Sequence, residues 1–225
     1  ARYCTNTRCY AGTGFDGTLT VAADFISFNA DGFTLDLEVA DGVAWVINYE
    51  AFGGSTITNV YIKEFTTPTS AQSVGYTGVG FQPDAIEIFS TRGAAAVEGA
   101  TYALLATGRA SGATARGAAC MWEDDAAAVA NTSHGQTTSA VYLQTDPAAG
   151  VYHKADLTSF DSDGFTLNYS VAIAAYYTSA ICYKGGLYKV GEITQKASTG
   201  TQAYTGVGFL PVGVSLLSTN DASDS

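Results

Sequence analysis

The sequence predicts an all-β fold made of two related antiparallel modules of the β-sandwich or jelly-roll type. Three observations predict it: the composition, a two-residue apolar period and an internal repeat. Only 14% of the 225 residues are charged, whereas 25 are Gly and 14 are Tyr, and an average protein has about 25% charged residues. Long helix-forming side chains are therefore scarce. The 47% hydrophobic content excludes disorder as the main state.

The apolar residues alternate with polar ones, as in strands that are buried on one face. Between residues 33 and 39, Phe33, Leu35, Leu37 and Val39 face one side of the predicted strand. Residues 165–171 alternate in the same way. Further strands are predicted, in chain order, at residues 18–28, 44–52, 61–66, 86–88 and 140–144.

Two sequence blocks occur twice. Tyr-Thr-Gly-Val-Gly-Phe at residues 76–81 recurs 128 residues later at 204–209, and Asp-Gly-Phe-Thr-Leu at 31–35 recurs 132 residues later at 163–167. A unit of that length is a domain and not a small stacked repeat. The blocks single out a set of repeat-structural residues: Gly32, Phe33, Gly80, Phe81, Pro83, Gly164, Phe165, Gly208, Phe209 and Pro211.

The phase of the repeat predicts the domain boundaries. Residues 1–77 are expected to form the first β module and residues 78–204 the second, complete module. Residues 205–225 are expected to be the opening strand of a further module. This strand would complete the first module in cis or from a neighbouring subunit, or the chain is a fragment of a longer tandem array.

Each repeated block has a structural explanation. Asp-Gly before a strand is typical of a tight turn with the glycine at positive φ, and proline at strand entry suits an edge position. The alternative is calcium, because Asp161-Ser-Asp163-Gly resembles the start of a calcium loop, although no glutamate follows at the bidentate position. Asp161 and Asp163 are therefore kept as metal-ligating candidates, and no cofactor is predicted.

Catalytic motifs are not found in the sequence. Neither histidine belongs to a His-Glu-x-x-His motif, and neither a Gly-x-Ser-x-Gly elbow nor a phosphate-binding loop is present. The acidic residues 123–125 are typical of a solvated turn. The sequence therefore predicts no catalytic residue and a non-enzymatic protein.

The tryptophans and cysteines each leave two interpretations open. Trp45 and Trp122 could contact a glycan by ring stacking, or could be core aromatics. Disulfides are one interpretation of the four cysteines, with three ways of pairing them, and free buried thiols are the other. Disulfides would favour an extracellular setting. The four candidates are Cys4, Cys9, Cys120 and Cys182.

Charge and hydropathy bear on the partners. The net charge is −11 and the ten basic residues are scattered, so the chain is expected to repel phosphate backbones and to bind no nucleic acid. No apolar run reaches the ~18 residues of a membrane span.

Three segments carry a resemblance to a known group of proteins: residues 77–86, residues 160–169, and residues 44–54 with the sequence Ala-Trp-Val-Ile-Asn-Tyr-Glu-Ala-Phe-Gly-Gly. They resemble β-rich repeat modules of tailed-phage and prophage virion structural proteins, in which a Gly-x-Gly-Phe-x-Pro strand opens a module and Asp-Gly-Phe-Thr enters a late strand. The second copy departs from the pattern after Pro211, where the aspartate is missing.

The resemblance implies a structural protein of a virus particle, of the tail, fibre or capsid-decoration type. Its expected partners are copies of itself and other virion proteins, and its expected location is the virion or the extracellular space. The alternative function is an extracellular carbohydrate-binding adhesin or filament subunit, whose partner would be a host surface glycan.

Overall fold

The structure is a computed structural model that describes residues 2–4, 8–14, 18–44, 47, 49, 51, 55–94, 98–100, 103–124, 131–146 and 150–217. The described residues form antiparallel strands and no helix, so the predicted all-β class is confirmed. It follows that no described helix is long and apolar enough to cross a membrane.

The strands are numbered in chain order. They are β1 (Arg2–Cys4), β2 (Tyr10–Thr13), β3 (Leu19–Asn29), β4 (Gly32–Val39), β5 (Ile57–Thr66), β6 (Gln72–Thr77), β7 (Ala85–Gly93), β8 (Glu98–Ala100), β9 (Ala103–Ala110), β10 (Arg116–Asp124), β11 (Asn131–Thr137), β12 (Tyr142–Asp146), β13 (Gly150–Asp161), β14 (Gly164–Ala172) and β15 (Tyr177–Gly185).

Two sheets form a sandwich between residues 57 and 185. One has six strands in the order β11-β10-β9-β7-β15-β5, and the other has four in the order β12-β13-β14-β6. Inward-facing residues of both sheets share one core, in which the ring of Phe65 on β5 lies 5.9 Å from the ring of Phe165 on β14. The alternation of apolar and polar residues along the strands produces this core, since successive side chains point to opposite faces.

A smaller sheet precedes the sandwich. It has three strands in the order β2-β3-β4, while β1 pairs separately with β8. Val21, Ala22 and Ala23 of β3 are buried, but the far end of the β3–β4 hairpin is open, and Phe28 is 85% exposed. This sheet therefore leaves large apolar side chains in contact with solvent.

The sheets differ from the predicted domain boundaries. Residues 57–77, which the sequence assigned to the first module, supply β5 and β6 of the sandwich by pairing with β15 and β14. The repeated block at 76–81 therefore begins in the last two residues of β6, which is a strand of the sandwich. It does not open a module, contrary to the prediction from the sequence. A repeat determines the period of a duplicated unit but not its first residue, which is why the predicted boundary at 77/78 lies inside the sandwich.

Residues 186–217 follow β15 without forming a strand. The opening strand predicted at 205–225 is thus not formed over residues 205–217, and residues 218–225 lie outside the described part of the chain. Within the described residues this segment pairs with neither sheet.

Candidate functional site

The most organised polar site among the predicted residues joins a glycine-rich loop to a turn. Gly78 and Gly80 donate their backbone N–H groups to the two carboxylate oxygens of Asp163, at 2.9 and 2.5 Å. Val79 donates its N–H to the backbone carbonyl of Asp163 at 3.4 Å. Both glycines have positive φ, 86° and 85°, a conformation that lets the two amides converge on one carboxylate.

These donors act on the charge of Asp163. The hydrogen bonds from the amides of Gly80 and, to a smaller extent, Gly78 hold the pKa of the Asp163 carboxyl below its ordinary value of 3.8. They do so because hydrogen bonds to a carboxylate favour its charged form. The carboxylate therefore stays ionised at neutral pH. The site is an anionic cap on a loop of backbone donors, which fastens β6 to the β13–β14 hairpin.

Close backbone packing completes the site. Register pairs Phe165 with Tyr76 and Gly164 with Thr77 across the β14–β6 edge. A Cβ on Gly164 would lie 1.9 Å from the carbonyl oxygen of Tyr76, so only glycine fits there. Phe165 is 0% exposed and its ring lies 5.5 Å from that of Tyr76.

The calcium candidates both accept hydrogen bonds, Asp161 from its own hairpin and Asp163 from the loop after β6. Asp161 accepts the hydroxyls of Ser159 and Thr166, each at 2.7 Å, and Asp163 accepts the two glycine amides. No group of three metal-ligating side chains is found among the described residues. Asp161 therefore takes part in hydrogen bonds within the hairpin, and Asp163 takes part in hydrogen bonds that join the hairpin to the loop after β6.

The structure brings together only part of the repeat-structural set. Gly80, Phe81, Pro83, Gly164 and Phe165 lie at the same end of the sandwich, where Pro83 is fully buried and Phe81 packs against the core. The other members are separated from them. Gly32 and Phe33 lie at the β3–β4 turn, and Gly208, Phe209 and Pro211 lie in the strandless segment after β15.

Sequence reasoning missed a second polar cluster inside the sandwich. Arg92, at the end of β7, donates to the Asp146 carboxylate at 2.9 Å and to the Tyr176 hydroxyl at 3.2 Å. Its guanidinium lies 4.1 Å from the centre of the Tyr152 ring, an arrangement that stabilises a desolvated cation. Arg92 has φ 61°, which is strained for a residue with a side chain.

Next to this cluster, Ser90 bridges the two sheets. Its hydroxyl accepts from Tyr142 at 3.2 Å and from Gln144 at 3.1 Å, both on β12 of the opposite sheet. His153 is fully buried beside them, and its Nε2 donates to the Ala174 carbonyl at 2.8 Å. Burial, followed by the nearby Arg92 charge, lowers the pKa of His153 to about 4. These residues hold the sheets together and are too enclosed to reach a substrate.

The sequence could not reveal this cluster because its members carry no common spacing. Arg92 and Asp146 are 54 residues apart, and Arg92 and Tyr176 are 84 apart. The only sequence signal is an arginine at the end of an apolar strand in a chain with few charged residues. A buried arginine needs a partner of opposite charge.

Of the two predicted glycan contacts, the structure describes Trp122. Trp122 lies on β10, where its indole is half-buried and packs against the sandwich core. Trp45 lies outside the described residues. The core interpretation therefore describes Trp122.

The disulfide interpretation does not hold for the cysteines whose side chains the structure describes. Cys9, Cys120 and Cys182 have free thiols, and the latter two are buried as the alternative interpretation expected. Cys120 lies on β10 and Cys182 on β15, with β9 and β7 between them. Three strand spacings are about 14 Å, which is too far for a disulfide. The side chain of Cys4 lies outside the described part.

Comparison with known proteins adds no relative. No protein-family profile matches the chain, and no curated protein or solved structure is significantly similar to it.

Proposed function

We propose that this protein is a non-enzymatic structural component of a virus particle, of the tail, fibre or capsid-decoration type, that assembles through contacts of its β modules. One observation carries the assembly part of the proposal, which is the open apolar end of the β2-β3-β4 sheet. Phe25 and Phe28 contact each other there with ring centroids 4.6 Å apart. Both rings are exposed, as is Leu37 on the neighbouring strand.

A second exposed apolar region supports the same conclusion. In the segment after β15, Leu210 is 91% exposed, and Val212, Val214 and Leu216 are more exposed than buried. Contiguous exposed apolar residues mark interaction surfaces in proteins that are stable in water. The chain therefore presents two surfaces that are expected to be covered in an assembly.

The viral part of the proposal rests on the resemblance of residues 77–86 and 160–169 to virion repeat modules. The location proposed with it is the virion or the extracellular space, and the partners are copies of the chain and other virion proteins. Among the described residues, Trp122 gives no support to the glycan-binding alternative, because its indole packs against the core.

The test is incorporation into particles. Virus particles from the strain that encodes this chain are purified on a density gradient and probed with an antibody raised against residues 57–185. We expect the chain to band with the major capsid protein, in a stoichiometry set by the symmetry of its location. An abundant host protein serves as the contamination control. A chain that stays in the soluble lysate while the capsid protein bands would contradict the proposal.

A further inference from the structure

The three-stranded sheet has the same register as part of the sandwich. In β2-β3-β4, Tyr10 pairs with Ala23 and Phe28 pairs with Phe33. In β12-β13-β14, the residues 132 positions later form the same pairs, Tyr142 with Ala155 and Phe160 with Phe165. The three register shifts also coincide at this offset, at residues 12/13, 22/23 and 25/27 and at 144/145, 154/155 and 157/159.

The two hairpin turns have a hydrogen bond between equivalent positions, with the donor exchanged. The Asn29 side-chain amide donates to the Thr34 hydroxyl at 2.9 Å in the first, and the Thr166 hydroxyl donates to the Asp161 carboxylate at 2.7 Å in the second. The glycine after the turn aspartate has φ 139° at Gly32 and 144° at Gly164. The two hairpins therefore match in strand register and in the conformation of the turn glycine.

The hairpins differ in what lies on their outer edge. β14 is covered by β6, whose Tyr76 carbonyl touches Gly164, whereas Gly32 has no atom within 4 Å of its Cβ position. No described strand pairs with the outer edge of β4. As a result Phe165 is 0% exposed and its equivalent Phe33 is 37% exposed.

The segment after β15 forms no strand, but it carries a second copy of the sequence block that ends β6 and forms the loop after it. Residues 204–209 repeat the sequence of residues 76–81, and Gly206 and Gly208 have φ 87° and 88°, as Gly78 and Gly80 do. The Tyr204 hydroxyl donates to the Thr194 carbonyl at 3.2 Å, as the Tyr76 hydroxyl donates to the Thr66 carbonyl at 3.4 Å. The loop therefore has the glycine conformation of the loop that caps Asp163, and no turn of the described residues is bound to it.

We propose that residues 200–208 of a second copy of this chain add to the open edge of β4, in the register of β6 on β14. This register pairs Thr205 with Gly32, Tyr204 with Phe33 and Ala203 with Thr34. The amides of Gly206 and Gly208 then bind the Asp31 carboxylate, as those of Gly78 and Gly80 bind Asp163. Addition of a strand to an open sheet edge is an established recognition mode, because backbone bonds supply affinity and register supplies specificity.

The donor is a second copy, because within one chain neither residues 200–205 nor the outer edge of β4 pairs with a described strand. Residues 200–205 and the edge of β4 are exposed together in the structure of one chain, and neither is satisfied by the other. A contact between unlike surfaces of identical subunits is heterologous, so it closes into a ring or extends into a filament. The inference rests on the self-assembly part of the proposed function and gives it a geometry.

Disulfide cross-linking tests the register. Gly75 lies directly opposite Thr166 across the β6–β14 pair, and a Cβ on Gly75 would lie 3.5 Å from the Thr166 hydroxyl. Cα atoms of directly opposite residues are about 4.5–5.5 Å apart, which is within the Cα range of disulfides. The equivalent pair in the proposed contact is Ala203 and Thr34. In a Cys4→Ser/Cys9→Ser background, one preparation carries Thr34→Cys and another carries Ala203→Cys, and the two are mixed under mild oxidation.

We expect covalent dimers in the mixture and several-fold fewer in either preparation alone. Gly75→Cys/Thr166→Cys in one chain is the positive control and should close within the sandwich. Thr201→Cys in place of Ala203→Cys is the register control, since it lies two residues away, and should cross-link several-fold less. Adding Asp31→Ala to the Thr34→Cys chain should lower the yield several-fold.

Three outcomes would overturn the inference when the positive control closes. They are no dimer in the mixture, equal yields with Thr201→Cys, or an internal bridge in a single Thr34→Cys/Ala203→Cys chain without dimers. The inference and the proposed function fail separately. Particle-bound chains that do not cross-link would remove only the inference, whereas cross-linked chains that are missing from particles would remove only the viral assignment.

Discussion

Asp163 accepts the backbone N–H of Gly80 at 2.5 Å, across 83 residues of sequence. The bond joins the turn between β13 and β14 to the loop after β6, so it fixes the edge strand of the four-stranded sheet. Two backbone donors on one carboxylate make the turn sensitive to the charge and to the number of acceptor oxygens at this position.

Asp163→Asn should lower the melting temperature of the protein at neutral pH. An amide has one acceptor oxygen for two backbone donors and carries no charge. Because the folded pKa of Asp163 lies below its ordinary 3.8, its stabilisation is present above that pH and is lost as pH falls through the folded value. Calorimetry should therefore show the two proteins converging in acid. Asp31→Asn, the same change at the uncapped turn, should leave the melting temperature of the monomer unchanged.

His153 should make the sandwich less stable in mild acid. Its pKa falls from 6.5 to about 4 on folding, so the unfolded chain binds the proton more readily. Stability is full above pH 6.5 and is lost as pH falls towards 4, by about 3 kcal/mol in total. Chemical denaturation of wild type and His153→Phe between pH 7 and 4 should give a shallower decline in the variant. His134→Gln, at an exposed position of β11, is the control, and parallel declines in wild type and His153→Phe would contradict this assignment.

Arg92→Ala should destabilise the sandwich by about 3 kcal/mol, because it leaves the Asp146 carboxylate buried without its cation. Urea denaturation measures the change. The matched control is Lys184→Ala, which breaks the more exposed pair with Asp84 and should lower stability by less than about 1 kcal/mol. Equal effects of the two substitutions would show that burial does not distinguish these ion pairs.

Phe165→Ala and Phe33→Ala are the same substitution at equivalent positions of the two hairpins. The first empties a fully buried site and should lower stability by about 4 kcal/mol. The second removes a partly exposed ring and should lower it by less than about 2 kcal/mol. Equilibrium unfolding of both variants as monomers checks the order, and a larger loss at Phe33 would contradict the different burial of the two rings.

The exposed thiol of Cys9 should react faster than the buried thiols of Cys120 and Cys182. In a Cys4→Ser variant, a thiol reagent should label Cys9 in the native state and should reach Cys120 and Cys182 only after unfolding. Burial raises the pKa of the Cys182 thiol to about 12 and also raises that of Cys120, which keeps the reactive thiolate scarce. A single reactive thiol in denaturant without reductant would instead indicate a disulfide between the two buried cysteines.

The strand class was predictable because burial on one face imposes a two-residue period. The predicted strands at 33–39 and 165–171 agree with β4 and β14, and those at 61–66 and 140–144 overlap β5 and β12. The predicted strand at 44–52 falls mostly outside the described residues. Alternation depends on local sequence alone, so it could be recognised without knowledge of the pairing.

The pairing could not be predicted in the same way. Tyr76 pairs with Phe165 and Tyr61 with Cys182, and nothing in either local sequence specifies so distant a partner. The predicted boundary at 77/78 was wrong for this reason, because the pairing that places β5 and β6 in the sandwich could not be read from the sequence. The duplication of whole modules stays a prediction, as do the viral role and the absence of catalysis. At the candidate site, the turn aspartates were identified from sequence, but the glycine donors that cap Asp163 required the fold.

A sequence block that occurs twice, at 76–81 and at 204–209, creates a sorting problem during folding. The β14 edge can meet two candidates, since Tyr76 lies 89 residues before Phe165 and Tyr204 lies 39 residues after it. Loop-closure entropy favours the nearer, incorrect segment by about 0.7 kcal/mol. Side chains must therefore distinguish the two segments. The clearest difference is at the position of Val74, which packs against the core and is replaced by Gln202 in the second segment. On the ribosome the order of synthesis also helps, because β6 emerges well before residues 200–205 and is available first when β14 appears.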